Sequence, residues 1–390
     1  MKSKRSKSAV APARIPLCKP YISEDEERAV VEVLRSGWLM QGSKVAEFER
    51  LIADYVRVKH AVAVNSGTSA LTLAVKAVGL GEGHGVIMPS HSFVATANCV
   101  FHWGSKPAFV DIARNTYNIN PFLIKQAADS HTQAIMVVHQ LGFAADMDPI
   151  LTIAGKRGLV VMEDAACSLG TTYKGQQTGG FAAAACLSFH PRKIITTGEG
   201  GMVLTNFEDI AETVRTLRNH GIAPSGRARK PHCKKAGFNF RMTDMQAAIG
   251  IAQFKKLEEI IRLRTRLAHR YIEELAGAFC ALDIPVWHDD SVPNFQSFIV
   301  QLADDTADRE AVLDYMAQNG IECKPGIQPI HLEPAYSKEY SGVSLPETIR
   351  AAERSFFLPL YPSMTDEEQG FVIRTLEKAI YKRAKGKEAY

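Results

Sequence analysis

The chain has 390 residues, of which 46% are hydrophobic and 23% are charged, and its formal net charge is +4. This composition is typical of a soluble globular protein whose core is large enough for two domains. Four positive charges lie within the first seven residues. Because the rest of the chain is about neutral, the charge argues against a dedicated nucleic-acid surface.

The sequence also argues against a membrane or secreted protein. No apolar run approaches the roughly 18 residues that a membrane span needs, and the stretch SAVAPA (8–13) is too weakly apolar for a secretory signal. The seven cysteines form no C-x-x-C pair, which argues against a zinc site and favours reduced thiols. We therefore expect a cytoplasmic protein without a metal, a membrane contact or a nucleic-acid partner.

The predicted elements begin with a helix that a capping box at Ser23–Glu26 opens and that ends near Gly37. Short apolar runs then alternate with helical stretches. Because these runs are continuous rather than alternating, they indicate strands covered on both faces, hence a mostly parallel sheet with helices on each side. The predicted strands are 61–64, 85–89, 107–111, 134–139 and 159–164.

The pattern changes near Thr243, where a second capping box (Thr243–Gln246) opens one long helical pattern to about Leu275. The rest has fewer apolar runs and predicts a smaller α+β unit. We therefore divide the chain into a basic flexible tail (1–14), a large α/β domain (15–255) and a small C-terminal domain (256–390).

Three features fall at the carboxyl ends of predicted strands, where open α/β sheets bind ligands. The first is NSGTSA (65–70), whose small residues expose backbone amides at the start of a helix and suit a phosphate. A plain strand-to-helix turn capped by Ser or Thr is the alternative interpretation.

The second feature is the acidic pair Glu163-Asp164, which ends a predicted buried strand. An acid in this position is typical of a metal ligand, a base or a partner for a cationic ring. Asp164 has the alternative role of a helix N-cap.

The third feature is Lys193, which lies between the predicted buried strand 186–189 and a glycine-rich run (198–201). An exposed loop lysine is the alternative, but a lysine partly withdrawn from water is suited to act as a Schiff-base nucleophile. A phosphate cradle, an acid for a pyridinium nitrogen and a lysine for an aldehyde are together what pyridoxal 5'-phosphate requires.

The sequence resembles the DegT/DnrJ/EryC1/StrS family of sugar aminotransferases over nearly its whole length. The resemblance is carried by AVNSGTSAL (63–71), PSHSFVATAN (89–98), EDAACSLG (163–170), SFHPRKIITTGEGG (188–201) and GFNFRMTDMQAAIG (237–250), with further blocks at 15–49 and 357–362. It implies an aspartate aminotransferase-like fold (fold type I), with a three-layer large domain and a smaller α+β C-terminal domain.

The resemblance also implies roles for individual residues. Lys193 is similar to the lysine that binds the cofactor covalently, and Asp164 to the partner of the ring nitrogen. The further implied contacts are Gly67, Thr68, Ser69 and Ser188 for the phosphate, Phe93 for stacking on the ring, Asn239 for the phosphate of the neighbouring subunit, and His331 for the substrate.

Two of these residues have an alternative interpretation. Phe93 also suits an ordinary core position, and His331 also suits the cap of a loop. One position departs from the family pattern. Cys167 stands where the family usually has Gln, His or Glu facing the ring's 3'-oxygen, which puts that contact in doubt.

The resemblance implies transfer of an amino group from glutamate or glutamine to a nucleotide-linked keto-sugar, in a homodimer with shared active sites. Three alternatives remain. A dehydratase of this fold would carry histidine in place of Lys193, and a Schiff-base aldolase would not use the acid or the phosphate loop. A non-catalytic sensor or regulator that binds the cofactor is the third.

Overall fold

The computed structural model describes residues 14–223, 232–233, 235–278, 281–303 and 307–384. In these ranges the α-helices are α1 (Glu24–Ser36), α2 (Ser43–Val56), α3 (Gly67–Ala77), α4 (Ala95–Phe101), α5 (Pro121–Ala127), α6 (Met147–Arg157), α7 (Glu208–Leu217), α8 (Asp244–Lys255), α9 (Leu257–Ala278), α10 (Arg309–Gln318), α11 (Pro346–Arg354) and α12 (Asp366–Ala384). The strands are β1 (His60–Val64), β2 (Gly85–Pro89), β3 (Lys106–Val110), β4 (Thr132–Val138), β5 (Val160–Asp164), β6 (Thr172–Tyr173), β7 (Gln176–Gln177), β8 (Ala184–Ser188), β9 (Gly201–Thr205), β10 (Leu282–Asp283), β11 (Ser291–Val292), β12 (Phe298–Leu302), β13 (Lys324–Pro325) and β14 (Ser355–Leu358).

The central sheet has seven strands in the order β1-β9-β8-β5-β4-β2-β3. Strand β9 runs antiparallel to both of its neighbours, β1 and β8, and the other pairs are parallel. Six strands therefore point the same way, and their carboxyl ends meet at one edge of the sheet. The predicted mostly parallel sheet is confirmed.

Both faces of this sheet are covered, as the continuous apolar runs predicted. In β1, Val62 and Val64 pack into one buried cluster with residues of α3, α4 and α7. Their neighbours Ala61 and Ala63 face the opposite side, in a cluster with residues of α2 and α8. A further cluster on that side joins β2, β4 and β5 to α5 and α6. The result is three layers, helix–sheet–helix.

Both predicted capping boxes are present. The Ser23 side chain accepts from the first turn of α1, Glu26 reaches back to the Ser23 amide, and the helix ends at Gly37 with φ 71°. Thr243 and Gln246 form the same reciprocal pair at α8.

The single long helix predicted from Thr243 is wrong in one respect, because the structure divides it at Lys256 into α8 and α9. The Lys256 amide donates to the carbonyls of Gln253 and Phe254 instead of the carbonyl four residues back. This tightened last turn ends α8.

The C-terminal part has its own antiparallel sheet, in the order β10-β12-β14-β13. A core cluster around it includes residues of α9, α10 and α12, together with Ile15 and Leu17 from the start of the described chain. Ile15 pairs with Ile321, and its amide donates to the Gly320 carbonyl at 2.8 Å. The domain boundaries at 14 and 255 stay predictions, and residues 1–13 lie outside the described residues.

None of the described helices combines the length and the apolar character that a membrane crossing requires.

Candidate active site

The sequence-predicted residues gather at the carboxyl edge of the central sheet. The loop 65–69 follows β1, residues 90–93 follow β2, Asp164 ends β5 and Ser188 ends β8. Because these strands run parallel, segments far apart in the chain reach the same edge.

The predicted phosphate loop forms the start of α3. Ser66 is the N-cap residue, and its hydroxyl accepts the Ser69 amide at 3.1 Å. Gly67 and Thr68 are the first residues of the helix, where amides point out of the helix and favour an anion. The Ser69 hydroxyl is buried and donates to Asn65 Oδ1 at 2.7 Å. The turn therefore combines a capped helix with an amide-rich end, and Ser69 as a phosphate ligand remains a prediction.

The glycines after Lys193 bring the start of β9 against this loop. A Cβ on Gly201 would lie 2.2 Å from Ser66 O and 2.7 Å from Gly67 N. A Cβ on Gly67 would in turn lie 2.8 Å from Ser188 Cβ. Gly198 has φ +81°, a left-handed conformation that favours glycine. The glycine at position 201 thus allows the backbone of β9 to approach the backbone of the 65–69 loop closely.

Asp164 is buried at the end of β5, only 6% exposed. Its Oδ2 accepts the Thr96 hydroxyl at 2.7 Å, and its Oδ1 accepts the Ala166 amide at 3.2 Å. Burial raises the pKa of this carboxyl, and the two hydrogen bonds and the electrostatic interactions with Lys193 and His139 oppose the rise. No helix follows directly, since residues 165–171 form turns. The alternative role of Asp164 as a helix N-cap is therefore not realised.

Glu163 points to the other side of the strand and has a structural role. Its carboxylate accepts the Gly179 amide at 2.7 Å, and the Phe181 and Ala182 amides at 2.9 Å. His139 Nδ1 accepts the Ala145 amide, so the ring proton lies on Nε2 and is donated to Glu163 Oε2 at 2.8 Å. With these four donors, Glu163 holds the segment 179–182 and His139 against the end of β5.

Lys193 is half-buried in the turn after β8. Its Nζ donates to Cys167 Sγ at 3.1 Å, and its backbone amide donates to His190 O at 2.8 Å. The charge of this amine lowers the pKa of Asp164, against the larger effect of burial. The structure thus brings together a lysine, an acid and an amide-rich loop.

Phe93 is 73% exposed, two residues before α4, and so is not an ordinary core residue. Asn239 is also exposed. The Asn65 amide donates to Phe240 O at 2.9 Å, and Asn65 Nδ2 contacts Asn239 O at 3.5 Å. These contacts hold residue 239 beside the loop of its own chain. Its reach into a neighbouring subunit stays a prediction.

His331 is buried, 2% exposed, in a short 3-10 helix (Ile330–Leu332). Its Nδ1 lies 2.7 Å from Ser90 Oγ, which also accepts the His331 amide at 3.0 Å. Burial lowers the pKa of this imidazole. The contact ties the C-terminal part to the end of β2, next to the site. Its role toward a substrate stays a prediction.

Sequence reasoning missed Thr96, the hydroxyl that contacts Asp164. Thr96 stands in the block that we matched to the family, PSHSFVATAN, but nothing local distinguishes it from a helix-start threonine. Its partner is 68 positions away in the chain, and only the strand order brings the two together.

The residues of this edge fit pyridoxal phosphate. The loop has no room for side chains at Gly67 and Gly201, as a closely bound phosphate cradle requires. The carboxyl of Asp164 is held by hydrogen-bond donors in a buried position, which suits pairing with a protonated ring nitrogen. The amine of Lys193 lies at the same edge.

The fold and these groups define the class of fold type I enzymes that use pyridoxal phosphate. Residues 20–377 match the sequence profile of the DegT/DnrJ/EryC1/StrS aminotransferase family. The chain belongs to this family, as the resemblance of its sequence blocks predicted.

Similar proteins agree with this assignment. GDP-perosamine synthase of Caulobacter vibrioides is 36% identical over 373 residues, which cover 94% of this chain and 98% of that protein. The solved structure of PseC, a Helicobacter pylori aminotransferase involved in the biosynthesis of pseudoaminic acid, is similar at a TM-score of 0.90 and 26% identity, covering 95% of this chain and 100% of PseC. NtdA from Bacillus subtilis, solved with bound cofactor PMP, has a TM-score of 0.84 and 31% identity, covering 92% of this chain and 82% of NtdA.

The chain is thus a pyridoxal-phosphate-dependent aminotransferase of a family with sugar aminotransferases among its members.

Proposed function

We propose that this aminotransferase moves an amino group from glutamate or glutamine to a keto-sugar attached to a nucleotide, within the biosynthesis of amino sugars for polysaccharides or glycans. The observation that carries the proposal is the meeting of the Lys193 amine, the Asp164 carboxyl and the 65–69 loop at one sheet edge. The relative named GDP-perosamine synthase supports the nucleotide-sugar class.

When bound, pyridoxal phosphate supplies an aldehyde that carries the amino group and a ring that accepts an electron pair. We infer that Lys193 binds the cofactor through Nζ and, once released, moves the proton at the reacting carbon. Asp164 holds the proton on the ring nitrogen by its negative charge. The amides of Gly67 and Thr68, with the Ser188 hydroxyl, hold the phosphate.

Two further residues have proposed positions around the cofactor. The ring of Phe93 is exposed three residues before Thr96, which donates to Asp164, and stacking on the cofactor would cover this ring. His331, fixed by Ser90, stands on the side where the C-terminal part meets the sheet edge. We assign it to the sugar side of the site.

We also propose that the enzyme works as a homodimer with shared active sites. Asn239 is exposed beside the 65–69 loop, at the surface of its own chain. Large apolar side chains are exposed before, in and after α1, and a second copy of the chain would cover them. They are Ile22, Leu34, Trp38, Leu39 and Met40, each 41% exposed or more.

The proposed acceptor class is tested by amino transfer from glutamate to a panel of nucleotide-linked 3-keto and 4-keto sugars, with the product identified by mass. Binding energy from the remote nucleotide helps to position the ketone, so the same sugars without the nucleotide should lose turnover as well as affinity. Equal or better rates with simple keto acids such as oxaloacetate would overturn the nucleotide-sugar acceptor. Cofactor binding without turnover on any donor would favour a non-catalytic regulator.

A further inference from the structure

A chain of two buried hydroxyls ends on Asp164. Ser92 Oγ lies 2.7 Å from Thr96 Oγ1, and Thr96 Oγ1 lies 2.7 Å from Asp164 Oδ2. Ser92 is 3% exposed and Thr96 is 1% exposed. The three side chains therefore form a hydrogen-bonded line that is shielded from water.

The direction of both hydrogen bonds follows from the chemistry of the groups. An ionised carboxylate only accepts, so the single hydroxyl proton of Thr96 is donated to Asp164. Ser92 must then donate its own proton to the Thr96 oxygen. Hydrogen bonds that point along such a line strengthen one another and stabilise the negative charge at its end.

This stabilisation matters because burial disfavours the charged form of Asp164 and is the largest influence on its pKa. Four groups lower the pKa of Asp164 against the effect of burial. From the largest effect to the smallest, they are the Thr96 hydroxyl, the Ala166 amide, Lys193 and His139. In the proposed reaction Lys193 leaves to bind the cofactor. His139 makes no hydrogen bond to Asp164, because its ring nitrogens contact Glu163 Oε2 and the Ala145 amide. Thr96 and Ala166 are therefore the contacts that Asp164 keeps throughout.

Among the described residues, three further acidic groups lie near Asp164, two thiols and one carboxylate. Their thiols or carboxylate become negative on ionisation, so none of them stabilises a negative neighbour. They are Cys99 on α4, Cys186 on β8 and Glu163 on β5.

We propose that Thr96 and Ser92 are positioning residues of the amino-transfer reaction, which hold the Asp164 carboxylate charged and aimed at the cofactor's ring nitrogen. The inference rests on the role proposed above for Asp164. The same turn carries Phe93, whose carbonyl accepts the Thr96 amide at 3.1 Å. The short segment 92–96 thus carries both the ring proposed to stack on the cofactor and the hydroxyls that hold the Asp164 carboxylate.

The test compares Thr96→Val, which keeps the shape but removes the hydroxyl, with Thr96→Ser, which restores it, and with Ser92→Ala. Thr375→Val is the matched control, because this buried threonine donates to a helix carbonyl (Phe371 O, 2.7 Å) in α12, outside the site. The readouts are the dissociation constant of pyridoxal phosphate and the pH profile of the amino-donor half-reaction, followed by the absorbance of the bound cofactor.

We expect Thr96→Val to slow the half-reaction by about 10- to 100-fold, since a hydrogen bond to a charged group contributes about 1.5–3 kcal/mol. Loss of the hydroxyl also lets the pKa of Asp164 rise further, so the acid limb of the profile moves to higher pH. Cofactor binding weakens in the same variant. Thr96→Ser recovers most of both effects, and Ser92→Ala gives a smaller change in the same direction.

An Asp164→Ala variant separates the two proposals. If Asp164→Ala keeps the wild-type rate, the role of Asp164 in the proposed function fails. If Asp164→Ala loses the rate while Thr96→Val behaves like Thr375→Val, the positioning role alone fails. The positioning role also fails if Thr96→Val is slow but its pH profile does not move and Thr96→Ser does not recover the rate. If the valine variant does not fold, the profiles of Thr96→Ser and Ser92→Ala decide, and wild-type behaviour of Ser92→Ala contradicts the chain of hydroxyls.

Discussion

Lys193 Nζ lies 3.1 Å from Cys167 Sγ, so the amine that we propose to bind the cofactor contacts a thiol. The turn that carries this thiol is fixed, because Asn294 Nδ2 donates to the carbonyls of Cys167 at 3.0 Å and Leu169 at 2.9 Å. Cys167, at the position where the family usually has Gln, His or Glu, therefore lies beside Lys193. Chemical modification of this thiol can therefore test the site.

Alkylation of Cys167 should block cofactor binding. Iodoacetamide adds bulk to the sulfur next to Lys193 Nζ, where we propose that the cofactor's aldehyde binds. We expect the treated apo protein to lose pyridoxal phosphate binding, prior loading with the cofactor to slow that loss, and Cys167→Ser to resist it. Peptide mass mapping and a binding titration measure the two effects. An equal loss in Cys167→Ser would assign the effect to a different cysteine.

Asp164→Asn should stabilise the apo protein while it weakens cofactor binding. Burial raises the pKa of Asp164, and a group whose pKa is higher in the folded state contributes stability below its unfolded pKa and loses it as pH rises through the folded pKa. At neutral pH the charged carboxyl therefore opposes folding. We expect the variant to melt at a higher temperature at neutral pH, with the difference shrinking as the pH falls. A lower melting temperature at neutral pH would contradict the cost of burying this charge.

Gly201→Ala should weaken cofactor binding by about tenfold or more. The new methyl group would meet Ser66 O at 2.2 Å, and relief of such overpacking costs about 1–3 kcal/mol and displaces the loop. Gly155→Ala is the control, because nothing lies within 4 Å of its Cβ position inside α6. Helix propensity predicts that this control gains up to about 1 kcal/mol. Equal cofactor affinity in both variants would refute the close approach at the loop.

A mixture of Lys193→Ala and Asn239→Ala chains should recover activity if the site is built from two subunits. A heterodimer then contains one site in which both residues are intact. In the proposed site Asn239 supplies only some of the phosphate contacts, so the assay is run at limiting cofactor. Heterodimers that show no recovery, or a fully active monomer, would rule out the shared site.

The sequence predicts the site's frame well because its signals are local. A continuous apolar run indicates a strand buried on both faces, and parallel strands end at one edge, so the 65–69 loop and Asp164 could be placed together. The capping boxes at Ser23 and Thr243 fix two helix starts within one turn each. These features need no knowledge of distant contacts.

The contacts that refine the site are not local. Ser90 and His331 are 241 positions apart, and Thr96 and Asp164 are 68 apart. Periodicity also says nothing about strand direction, so the reversed strand β9, which brings Gly201 to the 65–69 loop, could not be predicted. Only the assembled sheet shows which hydroxyl faces the carboxyl.

The central claim is that Lys193 binds the cofactor, and borohydride reduction of the protein loaded with pyridoxal phosphate tests it most directly. Peptide mapping should find the pyridoxyl group on the peptide that contains Lys193. Lys193→Ala should bind the cofactor through the phosphate loop without retaining it after reduction and denaturation. A pyridoxyl group on another lysine, with Lys193 unmodified, would contradict the account.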